Sequence, residues 1–440
     1  MELATLPAAP DNDLKYTGLQ IRVVALAFLT ALLDGLDLQI IAYAAPVMAR
    51  DLRLTETSLG VIFSGGFAGL AAGSMFLAPL GDRFGRRTIM ILCLVVFGLS
   101  VLATPLAQHA EQIFVLRVLT GVGLGGVMPN AVAISMEFSP ARLRASMVSF
   151  TTFGFIIGGA AGGVVAASLI PLVGWKGMLF IVGALPLALA LIEFFFLPES
   201  PEYVSSRRHV EHSPDRVTGD CIAESIEHRP ASRTSPIRTI FSKENRRNSL
   251  LIWIAMFANL SVAFGALQWL PTILNRRGFA LEIANSLVGM MWVSAIPGVV
   301  ILLYLSRRMG LQRSLGSFLC AGSLVTCGLG AVIAARGMGP VWLVMIAFGL
   351  TITAAQVGFY SLLAAVYPSS SRVTGIGWAQ GIGRIGAIVG PSAIGVLLSI
   401  ETNITTLFAY LSIPVLLAGV AVWNVSLSTL NNDDSGRLRN

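Results

Sequence analysis

Charge is the first scarcity of this chain. Asp, Glu, Lys and Arg make up 12% of its 440 residues, about half the ~25% of an average soluble domain. Apolar residues reach 55% and the mean hydropathy is +0.77, a composition that excludes a soluble globular enzyme. Cysteine is scarce too. Cys93, Cys221, Cys320 and Cys327 lie mostly in apolar stretches without C-x-x-C spacing, which signals neither a disulfide framework nor a metal site. The first 17 residues lack a basic segment leading into a short apolar stretch, so no cleaved signal peptide is expected. Net charge is +7, but no basic domain rises above the loops, and nucleic-acid binding is not expected.

What the chain has in abundance is long apolar runs. They fall near 20–48, 57–79, 88–107, 111–134, 143–169, 174–197, 248–274, 281–306, 313–335, 338–366, 373–400 and 402–427, each close to the ~20 residues that cross a bilayer. The reading is an all-α polytopic membrane protein of twelve transmembrane helices. Residues 1–19 form an N-terminal tail, 20–197 a first six-helix half, 198–247 a central linker, 248–427 a second half and 428–440 a C-terminal tail. The linker, rich in Ser, Pro, Arg and His (among them His209, His212 and His228), reads as a solvated connection or a regulatory segment.

Twelve spans place both termini on one side. Loops and adjoining span ends on that side carry 22 of the 30 basic residues and the opposite ones six, while Arg117 and Arg384 fall deep inside spans. The imbalance orients both termini to the cytoplasm. The halves echo one another: Leu80-Gly-Asp-Arg-Phe-Gly-Arg-Arg87 follows span 2, and Leu305-Ser-Arg-Arg-Met-Gly310 follows span 8. Two related halves with a site between them near the midplane are an architecture of secondary transporters.

Asp34 and Asp37 sit mid-span, and their i, i+3 spacing puts both carboxylates on one helix face. An aspartate at the bilayer centre costs about 2.5–3.5 kcal/mol on insertion scales, so the pair must face a cavity, a partner or each other. Such a pair suits proton uptake and release; the plainer alternative is a hydrogen-bonded structural role beside Gly35. Arg117, near the outer start of span 4, needs an anionic partner, which either aspartate supplies, unless it snorkels to the interface. Arg384 lies about 16 Å into span 11 at 1.5 Å per residue. No acidic residue in spans 7 to 11 answers it apart from Glu282 at the outer start of span 8. A guanidinium so placed suits an anionic substrate, above all a planar carboxylate. Gln356, Tyr360 and Trp378 are the neighbouring polar and aromatic candidates; Gln268, Trp269, Trp292, Gln380, Asn130 and Phe67 are further groups near that depth. In span 5, Gly154, Gly158 and Gly162, with Gly159 and Gly163, offer a surface for close helix contact. Asp82 and Arg86, in the turn after span 2, are placed to pair across helix ends and tune opening and closing.

Gly81 to Arg87, Arg117 to Gly126 and Pro198-Glu-Ser-Pro201 together resemble the major facilitator superfamily. Asp34-Gly-Leu-Asp37, Tyr367-Pro, Arg372-Val-Thr-Gly-Ile-Gly-Trp-Ala379 and Gly381-Ile-Gly-Arg-Ile-Gly-Ala-Ile388 resemble, more narrowly, its aromatic acid:proton symporter family of 4-hydroxybenzoate and benzoate type. The resemblance implies proton-driven import of an aromatic carboxylate across a bacterial inner membrane. It carries proton coupling onto Asp34 and Asp37, gating onto Asp82 and Arg86, and transport roles onto Arg117, Glu137, Arg372 and Arg384. Glu137 and Arg372 are grouped with the gate. For Glu137 a surface acid paired to Arg142 or Arg144 is an equal alternative. Arg307 and Arg308 stand where Asp82 and Arg83 stand in the first half, which implies an asymmetric gate. The expected protein works as a monomer in the lipid bilayer with no prosthetic group, the proton being a co-substrate. A carrier for a sugar, an aliphatic acid or a drug is the alternative, and an intramembrane enzyme is not expected because no nucleophile, base or metal-ligand set appears.

Overall fold

The computed structural model describes residues 17–140, 142–205, 243–335, 337–367, 372–400 and 403–426. The tails, most of the central linker with its histidines, and Cys221 lie outside them. Eleven helices among the described residues are long and apolar enough to cross a membrane. One of them, Arg144–Phe196, runs for 53 residues, about 80 Å at 1.5 Å per residue, against a hydrocarbon core of about 30 Å. It cannot be one crossing. Gly174 breaks it at φ 69°, ψ 173°, backbone that only glycine adopts freely. The two pieces are the expected spans 5 and 6, and the passes among the described residues number twelve.

In chain order the helices are α1 (Gly18–Asp51), α2 (Glu56–Phe76), the short α3 (Leu80–Phe84), α4 (Arg86–Ala103), α5 (Ala110–Glu137) and the broken α6 (Arg144–Phe196). The second half holds α7 (Lys243–Arg276), α8 (Leu281–Met309), α9 (Leu311–Ala334), α10 (Met338–Phe348), α11 (Ala354–Val366), α12 (Arg372–Ile400) and α13 (Ile404–Trp423). A π turn, Gly349–Thr353, joins α10 to α11 within a single pass. The two turns that echo each other in sequence share backbone geometry. Gly85 (φ 97°, ψ 133°) ends α3 and Gly310 (φ 84°, ψ 150°) ends α8, both in the region that favours glycine.

Within each half the helices pack at close range: α1 along α6, α2 along α5, α7 along α12, α9 along α13. Across the halves, α2 meets α12, α6 meets α8 and α1 meets α7. The glycine rail in α6 serves two faces rather than one. Gly154 and Gly158 lie against the backbone of Phe28 and Leu32 on α1, whereas Gly159 and Gly163 lie against Trp292, Asn285 and Gly289 on α8. Large apolar side chains such as Leu172, Phe195, Leu324 and Leu343 point outward. An apolar perimeter around polar groups held inside is the inverse of a soluble domain and fits lipid.

At the end of the bundle away from the termini, a set of hydrogen bonds and an ion pair joins the two halves. Gln39 Nε2 donates to the Leu267 carbonyl (2.6 Å) while Gln268 Nε2 donates back to the Leu38 carbonyl (3.2 Å). Ser64 Oγ sits 2.7 Å from Ser392 Oγ and donates to the Ile388 carbonyl. Arg50 donates to Asn275 (2.8 Å), and Arg276 pairs with Glu56 (2.6 Å) at the rim. That end is closed.

Candidate functional site

Asp34 and Asp37 are both buried in α1. Arg117 Nη1 of α5 lies 3.1 Å from Asp37 Oδ2, with side-chain exposures of 4% and 0%. The reading of Arg117 as an interface residue is therefore overturned. Seven residues into its helix, it has turned inward, because a fixed cation beside a buried carboxylate is held by a charge-assisted bond that lipid cannot supply. Its guanidinium packs over Gly66 of α2, where any side chain would collide with it. The pair is incompletely satisfied: Asp37 Oδ1 and Arg117 Nε are buried with no hydrogen-bond partner, and so is Asp34 Oδ1. One aspartate is thus an ion-pair partner; the other is a buried acid with none.

Arg384 of α12 is half-buried and donates to Ser74 Oγ of α2, across the boundary between halves. Among the described residues no carboxylate pairs with it. Tyr360 and Gln356 lie one turn apart on α11, and Tyr360 Oη donates to Gln380 Oε1 of α12 at 3.5 Å, which gathers three polar groups toward the face that carries Arg384. Trp378 stacks on Trp253 of α7, ring centroids 5.9 Å apart. Next to the Asp37 and Arg384 positions, Leu38, Phe67 and Ala387 form a small apolar cluster drawn from both halves, flanked by Phe155, Phe264 and Ile388. Phe67 and Phe264 approach to 4.9 Å between centroids, and Phe155 meets Trp292 at 5.6 Å. Two cations, one neutralised and one not, therefore flank a central aromatic wall.

Three polar candidates sit elsewhere. Asn130 is held away from this group: its amide donates to the carbonyls of Gly126 (2.7 Å) and Ala78 (3.5 Å) and braces the turn at Gly81. Gln268 belongs to the far clasp, and Trp269 donates to the Pro391 carbonyl at 2.8 Å.

At the end near the termini, Arg86 is the hub. It pairs with Asp82 (3.2 Å), with Glu137, and with Glu202 at 3.6 Å. Glu137 is also bonded by the Ser200 hydroxyl, and its side chain is 7% exposed. The alternative pairing of Glu137 with Arg142 or Arg144 is overturned, since the carboxylate turns inward to the α3–α4 turn. Glu199 accepts the backbone N–H groups of Arg87 (3.1 Å) and Ser200 (2.9 Å). Glu199 and Ser200 escaped sequence reasoning as individual residues, although the Pro198-Glu-Ser-Pro201 motif marked the place. In the second half Arg308 lies over the Tyr304 ring, 5.3 Å from its centroid, and among the described residues it makes no ion pair. The side chain of Arg372 is outside the described residues. Within those residues no three of His, Cys, Asp and Glu gather closely enough to hold a metal ion.

A helical bundle of two six-pass halves, with a polar and aromatic site enclosed between them, defines a membrane transporter rather than an enzyme. Residues 27–391 match the family model described as Major Facilitator Superfamily, and the chain belongs to that family. It is 34% identical over 417 residues to the 4-hydroxybenzoate transporter PcaK of Pseudomonas aeruginosa, covering 92% of each chain. It is 31% identical to the gallate transporter of Pseudomonas putida, over 91% of this chain and 90% of that one. Among solved structures, the D-xylose-proton symporter superimposes with a TM-score of 0.71 at 18% identity, over 92% of this chain and 97% of that one. A mutant of the nucleoside transporter NupG gives 0.74 at 14%, over 92% and 99%. These two likenesses carry the fold.

Proposed function

We propose that this protein imports an aromatic carboxylate of the benzoate or hydroxybenzoate class together with a proton, by alternating access, across a bacterial inner membrane with both termini cytoplasmic. The observation that carries the reading is the asymmetry of the two buried arginines. Arg117 is neutralised by Asp37, whereas the described partner of Arg384 is a neutral hydroxyl. A guanidinium held at the boundary of the halves without a carboxylate is a binding site for one, and the fork geometry favours a planar anion. The wall of Phe67, Phe264 and Phe155 beside it supplies apolar and ring-face contact for an aromatic body. The 4-hydroxybenzoate and gallate transporters among its relatives are in keeping with such a cargo.

Proton coupling rests on Asp34 and Asp37. With the far end clasped, the state is closed on the side opposite the termini, the side of entry in an importer. Return to the outward state must break the Gln39, Gln268 and Ser64 bonds and pack the opposite end, where the Arg86 hub fixes the turn that α2 and α4 share. One proton carried with a monoanion leaves the cycle electroneutral. The protein acts as a monomer in this reading, since each half supplies part of one enclosed site.

The test is uptake of labelled 4-hydroxybenzoate and benzoate into proteoliposomes, with and without an inward proton gradient, beside a sugar and an aliphatic dicarboxylate. Accumulation of the aromatic acids alone, abolished by an uncoupler, is the expected result. Carriage of another solute but of no aromatic acid would leave the family membership intact and remove the role given to Arg384.

A further inference from the structure

One buried carboxyl takes no part in the site described above. Glu193 lies in the second piece of α6, within the apolar run Ile192-Glu-Phe-Phe-Phe196, and is 0% exposed. Thr30 Oγ1 of α1 is 2.6 Å from its Oε1, while Oε2 is buried with no partner. No Lys, Arg or His among the described residues pairs with it. On α4 the nearest cation in sequence register, Arg87, is committed to the Phe194 carbonyl and ring; on α5, Arg117 is committed to Asp37.

The hydrogen bonds of Thr30 set a constraint. Its hydroxyl is also 2.9 Å from the Leu26 carbonyl, which only accepts. A hydroxyl has one proton to donate. Both contacts are satisfied together when Glu193 is a carboxylic acid that donates to Thr30 while Thr30 donates to Leu26. When Glu193 is ionised, Thr30 must turn its proton to the carboxylate and release Leu26, whose carbonyl still accepts within the helix. The pair is therefore compatible with both protonation states and reorients by one hydroxyl rotation between them.

Position gives this switch its meaning. Thr30, Asp34 and Asp37 follow at i, i+4 and i+7, one stripe of α1, and all three are buried. Side chains one turn apart have Cβ atoms about 5–6 Å from each other. Glu193 bonds Thr30, the member of the stripe nearest the termini, and Asp34 Oδ1 is the free acceptor one turn further in. We propose that Glu193 is a second protonation site, which takes up a proton as Asp34 releases one toward the side on which the termini lie, Thr30 turning its hydroxyl from Glu193 to Leu26 as it does so. The step balances: the acid of Asp34 becomes a carboxylate, the carboxylate of Glu193 becomes an acid, and Thr30 keeps its single proton while turning it from Glu193 to the Leu26 carbonyl.

The proposal rests on proton coupling at the aspartate pair, so its test separates the two. Protonated carboxyls are read by infrared difference spectroscopy in H2O and D2O on purified protein, and transport by proteoliposome assays of 4-hydroxybenzoate. Glu193→Gln is expected to remove one carboxylic-acid band that Asp34→Asn leaves in place. It is also expected to slow gradient-driven accumulation by about a hundredfold or more, on the scale of losing one proton-transfer group, while substrate counterflow continues. Thr30→Val, which removes no acid, shifts the same band and slows accumulation in the same direction, so the prediction stands on two variants should Glu193→Gln fail to insert. An unchanged acid band in Glu193→Gln, or unchanged gradient-driven accumulation in both variants, overturns the proposal. Absence of gradient-driven accumulation in the wild-type protein would instead overturn the coupling reading, whatever the band of Glu193 does.

Discussion

At the scale of residues, the two aspartates of span 1 separate into different roles because only one has a counter-charge. Asp37→Asn leaves Arg117 buried and unpaired, a change that costs about 3–5 kcal/mol when one member of a buried pair is removed. Thermal unfolding in detergent should show that loss for Asp37→Asn and for Arg117→Met singly, and recover most of it in the Asp37→Leu, Arg117→Met double variant. Asp34→Asn should scarcely move stability, since no partner is orphaned, yet abolish gradient-driven accumulation with exchange retained. Arg384 is tested by substrate titration of purified protein. Arg384→Ala should remove measurable binding, and Arg384→Lys, which keeps the charge but loses one arm of the fork, should weaken it about tenfold, the worth of one charge-assisted hydrogen bond. Equal affinity in the alanine variant would move the anion site elsewhere.

At the scale of elements, the glycines of α6 look alike in sequence and differ in what they touch. Gly158 faces α1 within its own half, and Gly163 faces Asn285 and Gly289 of α8 in the other half. A side chain at either meets backbone atoms that cannot move aside without moving the helix. Gly158→Val therefore breaks packing that persists through the cycle, and its expected outcome is a loss of folded, detergent-stable protein. Gly163→Val pries apart an interface that the cycle itself opens, so it should fold normally and favour the state open at the far end. A cysteine placed by Ser64→Cys in a cysteine-free background should then react faster with a membrane-impermeant thiol reagent from that side. Equal reactivity with and without Gly163→Val would show that the α6–α8 contact does not gate this end.

At the scale of the whole molecule, the closed end is held by hydrogen bonds and one exposed ion pair rather than by a buried hydrophobic seam alone. Exposed pairs such as Glu56–Arg276 contribute little each, about 0–1 kcal/mol, which suits a clasp that must open in every cycle. Fixing it should stop the cycle. Cysteines introduced as Arg50→Cys and Asn275→Cys, joined by a short bismaleimide, are expected to abolish uptake, while the unjoined pair of substitutions retains it; uptake that survives quantitative cross-linking would mean that the rim does not separate.

Much of this was legible in the chain. Twelve apolar runs, the repeated turn at Gly85 and Gly310, and four charges inside the membrane, Asp34, Asp37, Arg117 and Arg384, all declare themselves because a charge in hydrocarbon is costly enough to stand out in a string of letters. By the same rule Glu193, a charge within the apolar run near the end of span 6, was equally legible, yet it was not among the residues singled out. Hydropathy and charge placement act through length and solvation, which are properties of segments, so the sequence determined that the protein is a two-half helical membrane bundle and which residues are out of place in lipid. Partnership is a property of neighbours distant in sequence. That Arg117 answers Asp37 and not Asp34, that Glu137 turns to Arg86 rather than Arg142 or Arg144, that Asn130 braces a turn, and that Thr30 meets Glu193 were decided only when the helices packed, because a hydrogen bond is settled by ångström distances between side chains that linear spacing does not encode.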